Sequence, residues 1–126
     1  MPSRNDTRRS EMAALLRLYE SRLPERIRTI RVALADLDAH GWAPEKWEVF
    51  YLLVHRLAGS AKMYGFDRIG AAAAELEVAS IDFRNGAIPA TADAGAQLGT
   101  LVDRLAAESA RPRSRRAQGS GGREAT

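Results

Sequence analysis

Apolar residues recur at spacings of three and four along most of this chain, and that periodicity predicts helices almost throughout. No stretch alternates apolar and polar positions for long enough to indicate a strand, and no tight hairpin turn joins two β-branched runs. Five helical segments are therefore predicted, at about residues 8–21, 23–40, 44–63, 66–84 and from 89–91 to 110.

Proline and glycine set the predicted ends of these segments. Pro24 inside a helix would remove a main-chain donor and clash one turn back, at a cost of about 3 kcal/mol. We therefore expect Pro24 in the first turn of the second segment, which separates it from a short N-terminal helix. Pro44 begins the next segment in the same way. Gly41, Gly65 and Gly86 are predicted to end helices, because glycine readily adopts the left-handed conformation.

The amphipathic faces of the segments predict the fold class. Helices of this length are stable only when their apolar faces are buried against one another. Four of them with short connections predict an all-α fold, an antiparallel four-helix bundle, with the additional short N-terminal helix at one end. The apolar faces are Met12, Leu15, Leu16 and Tyr19; Leu23, Ile27, Ile30, Leu34 and Leu37; Trp47, Phe50, Val54, Leu57 and Ala61; Phe66, Ile69, Ala73, Leu76, Ser80 and Phe83; Leu98, Leu101, Val102 and Leu105.

Charge is distributed unevenly along the 126 residues. The net charge of +3 combines +4 in residues 1–31, −5 in residues 32–110 and +4 in residues 111–126. We expect residues 1–110 to form the helical domain and residues 111–126, which are rich in Arg, Ser and Gly, to be a disordered basic tail. The tail could tether the protein to nucleic acid, lipid or an acidic partner, but its composition favours a simple solubilising role.

Several classes of protein are excluded by what the sequence lacks. There is no cysteine, and the longest unbroken apolar run, residues 49–54, is far below the roughly 18 residues that a membrane span needs. The charged N-terminus has no apolar signal sequence, so we expect a cytoplasmic protein without membrane attachment. No phosphate-binding glycine loop and no zinc-binding motif occurs, so neither an ATP site nor a metal site is expected.

Two histidines remain as candidate chemical groups. His40 lies at a predicted helix end, where it is expected to interact with free carbonyl groups. His55 lies in mid-helix, and Gly59 follows it by one turn, although glycine there costs about 1 kcal/mol relative to alanine. A glycine at that position leaves the imidazole open to a partner molecule. It could equally serve close helix packing beside a half-buried histidine, and the spacing alone leaves both interpretations open.

A longer motif extends from His55 to Phe66, with the sequence HRLAGSAKMYGF. The motif resembles the signature of histidine-containing phosphotransfer (HPt) domains. The shared features are the histidine, the apolar residue two positions later, the Gly-Ser-small run from Gly59 and the second glycine at Gly65. The Ala-rich residues 71–74 continue the pattern into the next predicted helix. The resemblance covers about residues 55–80 by motif, and residues 23–110 by the order and length of the helices.

The resemblance implies a function. His55 would accept a phosphoryl group from an aspartyl phosphate in a response-regulator receiver domain and pass it to another receiver. Glu77, which stands 22 residues later, would hydrogen-bond and orient the imidazole. Partners would be receiver domains, with that of a hybrid histidine kinase as one candidate, and no nucleic acid or membrane would be bound. The protein would be a monomer. No cofactor is implied for this chain, because the receiver brings the Mg²⁺ ion, and no autokinase activity is implied.

One departure from the family pattern concerns the residue three positions after the histidine. The family commonly has lysine there, whereas this chain has Ala58. Lys62 and Arg56 are the candidate replacements for the electrostatic contact with the phosphoryl group. The expected docking surface for a receiver comprises Tyr51, Leu52, Ala58, Gly59 and Met63. Two alternatives stay open: a helical adaptor that docks receiver-like partners without transfer, and a nucleic-acid or membrane-associated bundle that uses the Arg-rich ends.

Overall fold

The computed structural model describes residues 3–86 and 92–111, and it contains four helices and no strand in those ranges. They are α1 (Arg4–Ala39), α2 (Pro44–Met63), α3 (Asp67–Arg84) and α4 (Ala92–Ala110). The bounds of α2 match the prediction, and α3 begins one residue later than predicted. The predicted start of the last helix and all of the predicted tail after Arg111 lie outside the described residues. None of the described helices has the length and apolar composition needed to cross a bilayer.

The prediction of a separate short N-terminal helix is wrong. The first helix begins at a capping box between Ser3 and Asp6 and continues without a break through Pro24. Pro24 is exposed, while Leu23 and Ile27 on either side of it are buried. Contacts of the segment before Pro24 with the rest of the fold therefore have to offset the missing main-chain donor.

Tyr19 anchors the first half of α1 to the end of α2. Its hydroxyl lies 2.8 Å from the hydroxyl of Ser60, which also accepts a hydrogen bond from Arg26 at 3.0 Å. Its ring packs on Tyr64 and Phe66, with ring centroids 4.8 and 5.2 Å away. Burial raises the pKa of the Tyr19 hydroxyl above its ordinary value. These tertiary contacts extend the helix N-terminally past Pro24.

The first predicted apolar face is only partly buried. Leu16 and Tyr19 pack against the core, whereas Met12 and Leu15 are each about half exposed. This half of α1 reaches beyond the other helices, and so it has fewer neighbours to cover it.

The four helices form a closed ring of contacts around one core. α1 packs against α2 and α4, and α3 packs against the same two helices. The first and the last helix are therefore in contact. Every predicted core residue from Leu23 onward is buried except Leu34 and Leu101, which are half-buried against the same core. Ser80 is the buried polar residue of this set, and its hydroxyl donates to the main-chain carbonyl of Leu76 at 2.8 Å.

The predicted helix ends are confirmed at three glycines. Gly41, Gly65 and Gly86 have φ angles of 65°, 83° and 78°, the left-handed conformation that glycine adopts without strain. His40 occupies the C-terminal cap of α1, with Nδ1 2.8 Å from the carbonyl oxygen of Asp36, as expected for a histidine at a helix end.

Candidate functional site

His55 lies on the part of α2 that faces away from the core but toward the neighbouring helix α3. Val54 and Leu57 are fully buried on the core side of the same turn. Because successive helical residues are rotated by about 100°, burial of these neighbours leaves His55 at the surface. Its side chain is 57% exposed. The ring is thus held on a rigid helix and remains open to solvent on one side.

Glu77 on α3 contacts this ring. Oε2 of Glu77 lies 2.5 Å from Nδ1 of His55, and the Glu77 side chain is only 19% exposed. An ionised carboxylate can only accept a hydrogen bond, so Nδ1 carries the proton and donates it. In the neutral imidazole the lone pair then resides on Nε2, which has no hydrogen-bond partner in the part of the chain that the structure describes.

Tyr51 completes this group of three side chains. It precedes His55 by one helical turn, and the two rings stack with centroids 5.5 Å apart and planes inclined by 17°. The Tyr51 hydroxyl donates to the same Oε2 atom of Glu77 at 3.4 Å. Tyr51 is half-buried between α2 and α3, so it forms a side wall of the site as well as part of its surface.

Arg84 and Glu48 extend the site, and Arg84 was not among the residues predicted from the sequence. Its guanidinium carbon lies 4.9 Å from the centroid of the Tyr51 ring, and its Nη1 donates to Oε1 of Glu48 at 3.2 Å. A signal for Arg84 existed, since it follows Glu77 by seven residues and thus lies two turns along the same face of α3.

Small residues bring α2 and α3 together beside the site. A β-carbon at Gly70 would lie 3.4 Å from the main-chain nitrogen of Lys62 and 3.8 Å from the carbonyl oxygen of Ala58. Ala58 itself is only 9% exposed and belongs to the core cluster. The expectation that Ala58 contributes to a docking surface is therefore wrong, because α3 covers it.

The remaining predicted docking residues form an open surface on the outer side of His55. Gly59 is exposed, and a β-carbon on it would meet no atom within 4 Å beyond its own helical turn among the described residues. Leu52 is 36% exposed and Met63 is 75% exposed. No packing contact in the described part of the chain accounts for the glycine. Its effect is to leave the surface next to the imidazole without a side chain.

The two candidate cations lie on different sides of α2. Arg56 lines a groove between α1 and α2 together with Arg26, Thr29 and Leu53, away from Glu77. Lys62 follows His55 by two turns and is exposed on the side nearer α3. Neither forms an ion pair within residues 3–86 and 92–111. Those ranges also contain no group of three or more acidic or histidine side chains that could hold a metal ion.

A comparison with models of protein families matches this chain to the Hpt domain. The model of the Hpt domain matches residues 14–108, about three quarters of the chain. The matched region contains the whole of the site described above. The search of curated proteins returned no match.

Proposed function

The chain belongs to the Hpt domain family, whose members transfer phosphoryl groups on histidine in phosphorelays, and we propose that His55 is the phosphoryl-carrying residue here. The observation that carries this proposal is the contact between Glu77 and Nδ1, which leaves the lone pair of Nε2 on a half-exposed ring. Hpt domains are phosphoryl carriers rather than enzymes with an ATP site, and the phosphoryl group therefore comes from a partner.

The proposed donor is the aspartyl phosphate of a response-regulator receiver domain. The Nε2 lone pair attacks phosphorus as the bond from phosphorus to the aspartyl oxygen breaks, and the aspartate leaves with that electron pair. The ring then carries positive charge, which the carboxylate of Glu77 stabilises at the Nδ1 proton. Attack by the aspartate of a second receiver reverses these steps and regenerates neutral imidazole.

Positioning and electrostatics supply most of the catalysis in phosphoryl transfer. The receiver contributes its Mg²⁺ ion and its aspartate, while this chain contributes a fixed nucleophile and a surface on which the receiver can dock. Leu52, Gly59 and Met63 are the proposed docking residues, because they are exposed beside His55. The ring of helix contacts supports an antiparallel four-helix bundle as the scaffold. We further propose that the protein works as a monomer in the cytoplasm.

A second candidate function is a docking adaptor that binds receivers without accepting the phosphoryl group. Ala58 is the observation in its favour, since the lysine common at this position in the family is replaced by a residue that α3 covers. The contact from Glu77 to His55 favours transfer, because a docking surface alone does not need an oriented imidazole.

The deciding experiment is phosphotransfer from a panel of phosphorylated receivers taken from the same genome, with His55→Gln as control. Transfer predicts an acid-labile, base-stable label on the wild-type chain and none on the variant. The adaptor predicts receiver binding of equal strength by both chains and no label on either. A label that persists at full level on His55→Gln would place the acceptor elsewhere.

A further inference from the structure

We infer that Tyr51 is a positioning residue for His55: its ring fixes the orientation of the imidazole, and its hydroxyl holds Glu77 at Nδ1. This inference rests on the proposed function of His55 and goes beyond it, because it names the group that keeps the nucleophile aligned. Tyr51 was expected from the sequence to be a docking residue, and its contacts give it a different part in the reaction.

The stacked ring restricts how the imidazole can turn. A half-exposed histidine on a helix can otherwise change rotamer on a picosecond to nanosecond timescale. Tyr51 lies one turn before His55 with its ring nearly parallel, and helical side chains lean toward the N-terminus, so the imidazole lies over the tyrosine. Rotation of the imidazole away from Glu77 would break this stack together with the hydrogen bond at Nδ1.

The hydroxyl acts on the other partner. Tyr51 and His55 both donate to Oε2 of Glu77, at 3.4 and 2.5 Å. A carboxylate oxygen has enough lone-pair sites for two donors. At 3.4 Å the phenol contact is long for an O–H···O hydrogen bond. It is a second, weaker contact that does not depend on His55, and it favours the same position of Glu77 when the ring gains a phosphoryl group and its charge changes.

Arg84 holds Tyr51 in turn. Its guanidinium lies over the Tyr51 ring, and its ion pair with Glu48 ties the last turn of α3 to the first turns of α2. Through Arg84, Tyr51 is anchored to the same two helices that carry His55 and Glu77. The chain of contacts from Glu48 to His55 is continuous, and each member is on a helix rather than on a loop.

The test compares Tyr51→Phe, which keeps the ring, with Tyr51→Leu, which removes it. Two readouts need no receiver. The first is the pair of ¹⁵N shifts of the His55 ring, which reports the tautomer. The second is the rate of phosphorylation by phosphoramidate, in which the bond from phosphorus to nitrogen breaks, Nε2 bonds to phosphorus and ammonia leaves. Val49→Ala is the matched control, since Val49 is an exposed apolar residue on the same helix and lies outside this group of contacts.

We expect Tyr51→Leu to average the two tautomers and to slow phosphorylation by about tenfold, in line with the cost of a misplaced reactive group. Tyr51→Phe should keep most of the rate, with a smaller population of the Nδ1–H tautomer. Val49→Ala should change neither readout. Helical circular dichroism should be the same for all of these variants.

The inference is overturned if Tyr51→Leu keeps the wild-type ring shifts and the wild-type phosphoramidate rate, and loses only transfer from receivers; Tyr51 is then a docking residue. A wild-type chain that no phosphoryl donor labels would overturn the proposed function instead. In that case the ring shifts of the two Tyr51 variants still report whether Tyr51 positions His55.

Discussion

Gly70 on α3 faces the main chain of Lys62 on α2, and a β-carbon on Gly70 would lie 3.4 Å from the Lys62 main-chain nitrogen, in van der Waals contact. At this point the two helices meet without a side chain between them. Gly70 precedes Glu77 by seven residues and so lies on the same face of α3. The close approach at Gly70 therefore determines how near Glu77 comes to His55.

The first prediction concerns Gly70→Val. The added methyl groups must separate α2 from α3, which should lower the free energy of unfolding by about 1–3 kcal/mol. The same separation should weaken the contact between Glu77 and His55. Urea unfolding measures the first effect, and the ¹⁵N shifts of the His55 ring measure the second.

Gly59→Ala is the matched control for that variant. In the described part of the chain a β-carbon on Gly59 meets no atom of another helix within 4 Å, so the substitution should raise stability by up to about 1 kcal/mol through helix propensity alone. A Gly70→Val variant as stable as the wild type, with unchanged ring shifts, would show that the close approach of α2 and α3 at Gly70 does not set the site's geometry.

The second prediction concerns Pro24, which lies inside a continuous helix. Pro24→Ala restores a main-chain donor and removes the clash of the proline ring, while it also makes the unfolded chain more flexible. The balance should be a gain in stability of about 1–2 kcal/mol. Thermal or urea unfolding measures the change. Ser10→Ala, at an exposed position in the same helix, is the control that separates this effect from helix propensity. A loss of stability would mean that Pro24 supports a bend that the fold requires.

The third prediction concerns Tyr19 and alkaline pH. Burial raises the pKa of the Tyr19 hydroxyl, so its protonated form is favoured in the folded state. Its contribution to stability is fully present below the pKa of the unfolded chain and is lost as the pH rises through the folded value. Tyr19→Phe removes the hydrogen bond to Ser60 and should cost about 0.5–1.5 kcal/mol at neutral pH.

That cost should shrink as the pH rises through the alkaline range, because the wild type then loses the protonated hydroxyl as well. Hydrogen exchange in α1 before Tyr19 should increase in the variant, since this hydroxyl helps to hold the segment on α2. An equal stability difference at neutral and strongly alkaline pH would show that burial of the hydroxyl is not linked to folding.

The sequence predicted the parts of the fold that depend on local signals. Pro44 and Gly65 delimit α2 because each acts on its own turn, and the prediction there is confirmed. Pro24 gave the wrong boundary because contacts of Tyr19 with Ser60, Tyr64 and Phe66, which are distant in sequence, outweigh a local cost. Propensity and periodicity contain no information about such contacts.

In the candidate site, too, some features follow from the sequence pattern and others depend on tertiary contacts. The spacing of His55 and Glu77 came from the family pattern, and the structure brings the two side chains together. The burial of Ala58 and the placement of Arg84 over Tyr51 depend on how α2 and α3 are rotated about their own axes. A helical period places a residue on a face, but the face that meets a given neighbour is a tertiary property.

The fourth prediction concerns Glu77. Glu77→Gln keeps an acceptor oxygen near Nδ1 but removes the charge, whereas Glu77→Ala removes both. Transfer to His55 should fall severalfold in Glu77→Gln and by about tenfold or more in Glu77→Ala, since the ring loses its orientation as well. Initial rates with one phosphorylated receiver, at receiver concentrations above and below saturation, separate the chemical step from docking. Equal rates for the wild type and Glu77→Ala would remove Glu77 from the mechanism.

The last prediction concerns the cation that offsets the charge of the phosphoryl group. Lys62 is the better placed of the two candidates, because it lies on the α3 side of α2 with His55 and Glu77, while Arg56 lines the groove toward α1. Charge-assisted hydrogen bonds from an ammonium group stabilise a phosphoryl group. At an exposed site this contribution is about 1 kcal/mol or less.

Lys62→Ala should therefore slow transfer severalfold without abolishing it, and the difference from the wild type should shrink as salt is added. Arg56→Ala is the matched control, with the same loss of charge on the opposite side of the helix, and its rate should stay near that of the wild type. Ala58→Lys, which restores the family's lysine, is not expected to compensate for the loss of Lys62. Because α3 covers position 58, a lysine there would have to disturb the packing of α2 on α3 before it reached the phosphoryl group. Both variants are compared with the wild type by initial rates of transfer from one receiver at low and moderate salt. A clear loss of rate in Arg56→Ala, with none in Lys62→Ala, would identify Arg56 as the cation instead.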